Sequence, residues 1–274
     1  MWVSKKEIED LSERLKSYSS GEQIDIRDNR EGAFSILKND IYAILNAQNE
    51  QLINLEKQRN VLAEYMADIS HQLKTPITSM NIMTELLEVA EPEKQQEFIR
   101  NIKFSLNKME WLVGTLLKMT KIDAGALTFS MKPVKVSEIC EKVLPAVSIL
   151  VDIKEQSIEI IHDCVIDCDA GWTAEALLNI VKNAIEHSPE GGKIVIDSGS
   201  NAMYQWISVK DCGVGMDKSM YAAMFQRFKY STNDNGFGIG LPFALSIMRG
   251  QGGDIDMDFG EHGQGTLVRL KFFQ

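Results

Sequence analysis

The sequence predicts a multidomain protein of the α and α+β classes: a long coiled-coil or four-helix-bundle half, then a mixed α/β half. Three observations carry that expectation. A heptad register runs from Phe34 to Leu87, and a second apolar helical pattern follows the break VAEPEKQQ (89–96). Beyond residue 126 the periodicity changes to short β-rich runs around one helical segment and a glycine-dense stretch.

The elements follow in order. Ile8, Leu11, Leu15 and Tyr18 share one face of a helix over residues 5–18, and SSGEQIDIRDNREG (19–32) reads as a polar connector. With Leu62 at heptad position d, Phe34, Ile41, Leu55, Ile69 and Met83 also fall at d. Leu45, Leu52, Met66, Leu73, Met80 and Leu87 fall at a, while Lys38, Gln48 and Arg59 are polar occupants of the same seam. A register sustained this long indicates a coiled coil or a bundle helix. Pro92 suits the start of the next helix, on which Phe98, Ile102, Met109, Leu112, Leu116 and Met119 form one stripe. Ile99, Leu106, Val113 and Leu117 form a second stripe beside it. One hairpin cannot cover stripes that wide, so two hairpins pairing into a four-helix bundle are expected, which makes a homodimer. AGALTFSMKPVKVSE (124–138) ends the helical half. The strand-like runs beyond it are SIEIIHDCVID, GKIVIDSGS, YQWISVKDCG and GTLVRLKFF, with AEALLNIVKNAIEH as the helix.

Length and composition set bounds. A chain of 274 residues holds about two domains by the usual prior. The formal net charge of −10 argues against nonspecific nucleic-acid binding. Cys140, Cys164, Cys168 and Cys212 lack the second ligand pair of a zinc site and read as reduced, partly buried thiols. No run approaches the ~18 apolar residues of a membrane span, and MWVSKKEIEDL is not a signal peptide. The expectation is a cytoplasmic chain, joined to a membrane only through an upstream segment.

The first chemical feature is DISHQLKTPITSM (68–80). The register puts His71 at f, the outermost heptad position, with Thr75 one turn on along the same face. Pro76 removes the N–H that would bond the Gln72 carbonyl, and its ring crowds that carbonyl, so a bend is expected there at a cost of about 3 kcal/mol. A neutral imidazole at such a place has a ring nitrogen available as a nucleophile.

A second constellation lies downstream. In NIVKNAIEH, Asn179, Asn183 and His187 recur every four residues on one helical face, and amide oxygens suit Mg²⁺ beside nucleotide phosphates. DCGVGM (211–216) follows a strand-like run: Asp211 could accept a hydrogen bond from an exocyclic amine, and Gly213 and Gly215 admit a flat ring. NGFGIGLPFALSIM (235–248) is a glycine-spaced loop entering a helix, a natural cradle for a triphosphate. No Walker lysine follows it, and its setting is not that of a dinucleotide fold.

Taken together, these residues resemble the sensor histidine kinases of two-component signalling over residues 58–274. SHQLKTPIT resembles the H box, LLNIVKNAIEH the N box, DCGVGM the G1 box, MFQRF the F box, GFGIGL the G2 box and GQGTLVRLKF the terminal strand. Residues 1–57 resemble, more loosely, a signalling relay of HAMP type. The resemblance implies a dimerisation and histidine phosphotransfer domain over 58–126, then an α/β sandwich ATP-binding domain of the GHKL type over 127–274. It implies His71 as phosphoacceptor, Gln72 and Thr75 beside it in catalysis, and Asn183 as the Mg²⁺ ligand. Asn179, His187, Gly213, Gly215, Phe225, Leu241 and Thr266 would line the ATP site, with Asp211 specifying adenine. Gly236, Gly238 and Gly240 would close the lid on the phosphates, and Arg227 would reach the γ-phosphate. The implied partner is a response-regulator receiver domain, whose aspartate takes the phosphate and which Thr75 would help dephosphorylate.

One position departs from the family pattern. Where most members have Glu or Asp after the phosphoacceptor, this chain has Gln72, which orients an imidazole but is no base. Related ATPases of the gyrase and chaperone kind place a glutamate one turn before the Mg²⁺ asparagine; Asn179 stands there instead. Protein Ser/Thr/Tyr kinases are excluded by the absence of H-R-D and D-F-G sequences. A catalytically dead scaffold that only dimerises and binds a regulator is the remaining alternative.

Overall fold

The computed structural model describes residues 4–19, 25–27, 32–215, 218–229, 236–259 and 265–273. The chain divides into two compact units, residues 1–67 and 68–274. In the first, α1 (Lys5–Ser19) buries Leu11, and Ile26 is buried on the connector. The Tyr18 hydroxyl donates to the Leu45 carbonyl at 3.0 Å. Most of the expected polar connector, residues 20–24 and 28–31, lies outside the described residues.

Helix α2 (Ala33–Leu87) is 55 residues long and runs through Pro76 as one element. Its heptad residues Leu52, Leu55, Leu62 and Met66 are 60%, 59%, 56% and 58% exposed. A stripe this apolar and this uncovered is the surface a bundle partner would bury.

In the second unit, α3 (Pro92–Asp123) opens with the proline at its first turn, as expected. The C-terminal half of its first stripe has a different use from the bundle seam expected of it. Leu112 and Met119 are fully buried in the core of the α/β layer, with Leu116 packed against it. The second stripe stays open: Ile99, Leu106, Val113 and Leu117 are all exposed.

That core lies between a sheet and a layer of helices. The sheet has strand order β2-β4-β5-β7-β6: β2 (Ser157–Ile160), β4 (Lys193–Ser200), β5 (Tyr204–Lys210), β7 (Thr266–Phe273) and β6 (Asp254–Phe259). Only the β2–β4 pair is parallel. Alternate residues face the helices, so Ile194, Ile196, Ile207, Val209, Leu270 and Phe272 are buried. Helices α4 (Val136–Ile153), α5 (Ala170–His187) and α7 (Gly240–Gly250) cover them with Val143, Leu177, Ile180, Phe243 and Ile247. Two short strands, β1 (Lys132–Lys135) and β3 (Val165–Cys168), form a separate antiparallel pair. The four-residue α6 (Tyr221–Met224) precedes the glycine loop.

Helix α4 and strands β6 and β1 were not anticipated, each for a physical reason. Helix α4 is rich in Val and Ile and contains Pro145, so its composition resembles a strand. Burial of Val136, Ile139, Cys140, Val143 and Val147 nevertheless follows helical spacing, and Pro145 is exposed. Strand β6 carries an Asp at every second position, which resembles a turn. On this sheet edge Asp256 accepts from Lys271 at 2.9 Å and Arg269 at 3.3 Å across the ladder. Strand β1 is only four residues long. The run SIEIIHDCVID divides between two sheets, β2 in one and β3 in the other. All four cysteines are free thiols; Cys140 and Cys168 are buried and Cys212 is exposed. Burial pushes the Cys140 thiol up to about 11.

The C-terminal turn of α5 is held from outside the helix. Lys154 donates from Nζ to the carbonyls of Ile185 and Glu186 at 2.8 and 2.9 Å. Gln156, buried, donates from Nε2 to Ile185, Ser188 and Pro189 at 3.1, 3.0 and 2.9 Å. Carbonyls left unpaired at a helix end thereby gain donors, the cationic one also suited to the helix dipole.

Candidate nucleotide site

Helix α5 begins at Asp169, whose carboxylate accepts from the N–H groups of Gly171 and Trp172 at 3.0 and 3.1 Å. The helix then presents Asn179, Asn183 and His187 to one cavity of about 500 Å³. The two asparagines differ in availability. Asn179 is buried and donates from Nδ2 to the Glu175 carbonyl at 2.8 Å. That bond turns its Oδ1 toward Gly240, where a Cβ would stand 3.2 Å from it. Asn183 is half-buried, and among the described residues no hydrogen bond uses its amide. Its oxygen is therefore the one open to a cation, which fits Mg²⁺ and its preference for oxygen ligands.

Asp211 follows the end of β5 and is buried. Its Oδ1 accepts from the N–H groups of Gly213 and Thr266, both at 2.9 Å, and its own N–H donates to the Thr266 carbonyl at 3.0 Å. Two close backbone approaches build this corner. A Cβ on Gly265, at φ +74, would stand 2.0 Å from the Asp211 carbonyl oxygen, so only glycine fits. A Cβ on Gly213 would stand 2.5 Å from the His187 carbonyl oxygen. Asp211, Thr266, Asn183, His187 and Leu241 line a second, smaller cavity of about 30 Å³, with Met224 and Met257. That volume holds a water or two rather than a purine. Two unbranched thioether side chains in the lining give it the means to repack.

The glycine loop works by alternation. Phe237, Ile239 and Leu241 are buried, while Gly236, Gly238 at φ +65 and Gly240 line the larger cavity. The apolar residues anchor the loop, and the glycines leave backbone N–H groups and the start of α7 accessible to an anion. Asn235, at the head of this motif, and Met216 of DCGVGM lie outside the described residues.

The opposite wall is supplied by α3, through Phe104, Asn107, Lys108 and Trp111. Trp111 stacks on Phe237, with centroids 6.2 Å apart and planes 9° from parallel. Lys108 Nζ lies 4.6 Å from the centroid of the same ring. None of these four was singled out from the sequence. A tryptophan outside the apolar stripe was the one available signal, and periodicity alone gives it no destination.

Other expected site residues lie elsewhere. Phe225 packs on the core with its ring edge-on to Tyr221, and lines neither cavity. Arg227 forms an ion pair with Asp123 at the end of α3 instead of facing the cavities. Gly213 acts through its N–H to Asp211, and Gly215 has φ +76; neither lines a cavity. His71, Gln72 and Thr75 on α2 are also absent from both linings. His71 is exposed, and the Thr75 hydroxyl donates to its carbonyl at 3.4 Å. No bond joins the Gln72 amide to the imidazole among the described residues, since adjacent helical residues do not face each other.

An α/β sandwich with a buried aspartate, an asparagine helix and a glycine loop at a helix start, preceded by helices bearing an exposed histidine, defines the histidine kinase class of architecture. Residues 61–125 match the His Kinase A (phospho-acceptor) domain. Residues 168–274 match the family described as Histidine kinase-, DNA gyrase B-, and HSP90-like ATPase. The chain belongs to the sensor histidine kinases of two-component signalling. It is 30% identical to sporulation kinase C of Bacillus subtilis (strain 168) over 227 residues, which cover 81% of this chain and 51% of that protein. It is 31% identical to sensor histidine kinase WalK of the same organism, covering 78% of this chain and 37% of that one. The chain thus spans about half or less of the length of these two curated relatives. Among solved structures, histidine kinase ThkA in complex with response regulator protein TrrA aligns at TM-score 0.65 and 20% identity, covering 82% of this chain and 66% of that one. Acinetobacter baumannii histidine kinase AdeS aligns at 0.61 and 20%, covering 74% and 97%. At these identities the structural matches establish the fold. No helix among the described residues is long and apolar enough to cross a membrane.

Proposed function

We propose that this chain is an ATP-dependent protein-histidine kinase: it phosphorylates His71, passes the phosphate to an aspartate of a response-regulator receiver domain, and dephosphorylates that regulator. The observation that carries the reading is the convergence of Asp211, Asn183 and Gly236–Gly240 on two cavities that share Asn183, His187, Met224 and Leu241. Asp211 keeps Oδ2 for an adenine amine while Oδ1 is engaged by backbone. The loop N–H groups meet the phosphates. Asn183 would hold Mg²⁺ through Oδ1, and the ion would supply charge neutralisation for the triphosphate.

His71 attacks through the Nε2 lone pair: the N–P bond forms as the bond from the γ-phosphorus to the β–γ bridging oxygen breaks, and ADP leaves. The Nδ1 proton passes to water, because Gln72 cannot take it. His71 lines neither cavity, so transfer needs a rearrangement that brings the nucleotide to a His71 of this chain or of a second copy. The exposed stripe of Leu52, Leu55, Leu62 and Met66 supports a homodimer. We assign residues 1–57 to a HAMP-like relay, 58–126 to dimerisation and phosphotransfer, and 127–274 to ATP binding. Asn179 favours transfer over hydrolysis, since an amide committed to the Glu175 carbonyl activates no water. The test is incubation with γ-labelled ATP and Mg²⁺; acid-labile, base-stable label supports the reading, and its absence defeats it.

Two substitutions separate the roles on α2. Thr75→Ala is expected to keep autophosphorylation while removing dephosphorylation of the regulator; equal loss of both in paired assays would refute the assignment. Gln72→Glu supplies a carboxylate one residue along the helix, able to take the imidazole proton through an intervening water, and is expected to raise the initial autophosphorylation rate by about tenfold. A tenfold loss instead would show that Gln72 is not a handicapped substitute for a carboxylate.

A further inference from the structure

We infer that Lys108 of α3 is a ligand for the nucleotide's terminal phosphates, supplied to the ATP-binding layer from the helical hairpin. The inference deepens the ATP reading and rests on it. Lys108 lines the same cavity as Asn183 and Gly236–Gly240, on the wall that faces α5. Its ammonium lies over the Phe237 ring at 4.6 Å, between two of the loop glycines in sequence. No carboxylate pairs with it among the described residues, unlike Lys118 on the same helix, which pairs with Glu175. Partial burial lowers its pKa, the mark of an ammonium whose hydration has not been replaced by an opposite charge. The lining holds one other lysine, Lys182, and one carboxylate, Glu186. A triphosphate entering this space brings about four negative charges into a wall with one surplus cation at most, and Lys108 is the cation placed on the loop itself.

The aromatic ring is a weaker partner than phosphate. A cation–ring contact is weaker than a charge-assisted hydrogen bond to a phosphate oxygen, so the ammonium moves from the Phe237 face to the phosphate when one arrives. Occupancy by ATP then strengthens the seat of α3 against the glycine loop, and the two equilibria are linked. A diphosphate, lacking the terminal group, gains less from the same lysine.

The experiment measures ATP and ADP binding calorimetrically with Mg²⁺ for the whole chain, Lys108→Met and Lys108→Arg. Met keeps the alkyl stem against Phe237 and removes the charge, which separates packing from electrostatics. The expected result is a loss of ATP affinity of about tenfold in Lys108→Met, a loss for ADP of no more than about threefold, and retention of most ATP affinity in Lys108→Arg. ATP affinity unchanged in Lys108→Met, or equal losses for ATP and ADP, overturns this inference while leaving the ATP site standing. Absence of ATP binding by the wild-type chain overturns both.

Discussion

Replacing His71 with glutamine is expected to reduce stable phosphorylation of the chain by γ-labelled ATP to background, at least about a thousandfold below wild type. The expectation is this large because, in the proposed reaction, the residue would supply the atom that forms the new bond, not an interaction that eases it. Glutamine retains helical propensity and polarity, and His71 is exposed with no packing to lose, so the fold should be unaffected. Calorimetric ATP binding should also be unaffected, since His71 lines neither cavity. The measurement is label retained after base treatment and lost after acid, with nucleotide affinity in parallel. Undiminished acid-labile label in the variant would move the phosphoacceptor elsewhere; His162 and His187 are the other described histidines outside α2.

Asp211→Asn is expected to weaken ATP binding by about a hundredfold while the chain remains folded. The amide oxygen of asparagine can replace Oδ1 as acceptor for Gly213 and Thr266, so the corner is preserved. The other oxygen becomes an NH₂ group, which meets the exocyclic amine of adenine donor to donor. A buried acceptor is thereby exchanged for a buried clash of donors. The discriminating control is inorganic triphosphate, which in the proposed mode would contact the glycine loop: its affinity should be equal in wild type and variant. Equal ATP affinity in the two proteins would remove Asp211 from base recognition.

Much of this architecture was legible in sequence, because the signals involved are local. Heptad spacing located α2, Pro92 located the start of α3, and the four-residue recurrence of Asn179, Asn183 and His187 placed all three on one cavity wall. Strand alternation identified β4, β5 and β7. What escaped was decided at long range. Helix α4 becomes a helix because the sheet gives its Val and Ile residues a face to bury, and the charge ladder that makes β6 a strand lies on β7. Within the site, Asp211 and the glycine loop were identifiable by their surroundings in the chain. The wall formed by Asn107, Lys108 and Trp111 was not, since no pattern within α3 says what it packs on. Arg227 was directed to phosphate by motif, whereas its guanidinium pairs with Asp123, more than a hundred positions earlier.

The clamp on the last turn of α5 has a consequence for affinity. Lys154 and Gln156 fix the carbonyls that bracket His187, and the His187 carbonyl in turn is the surface on which Gly213 rests. The polar frame that would read a base is thus held by bonds within the chain itself and spared the entropy of being ordered on binding. Adaptation is left to Met224 and Met257, whose rearrangement involves weak contacts and soft torsions. A rigid polar frame with a compliant apolar filling lets selectivity reside in the one and accommodation in the other.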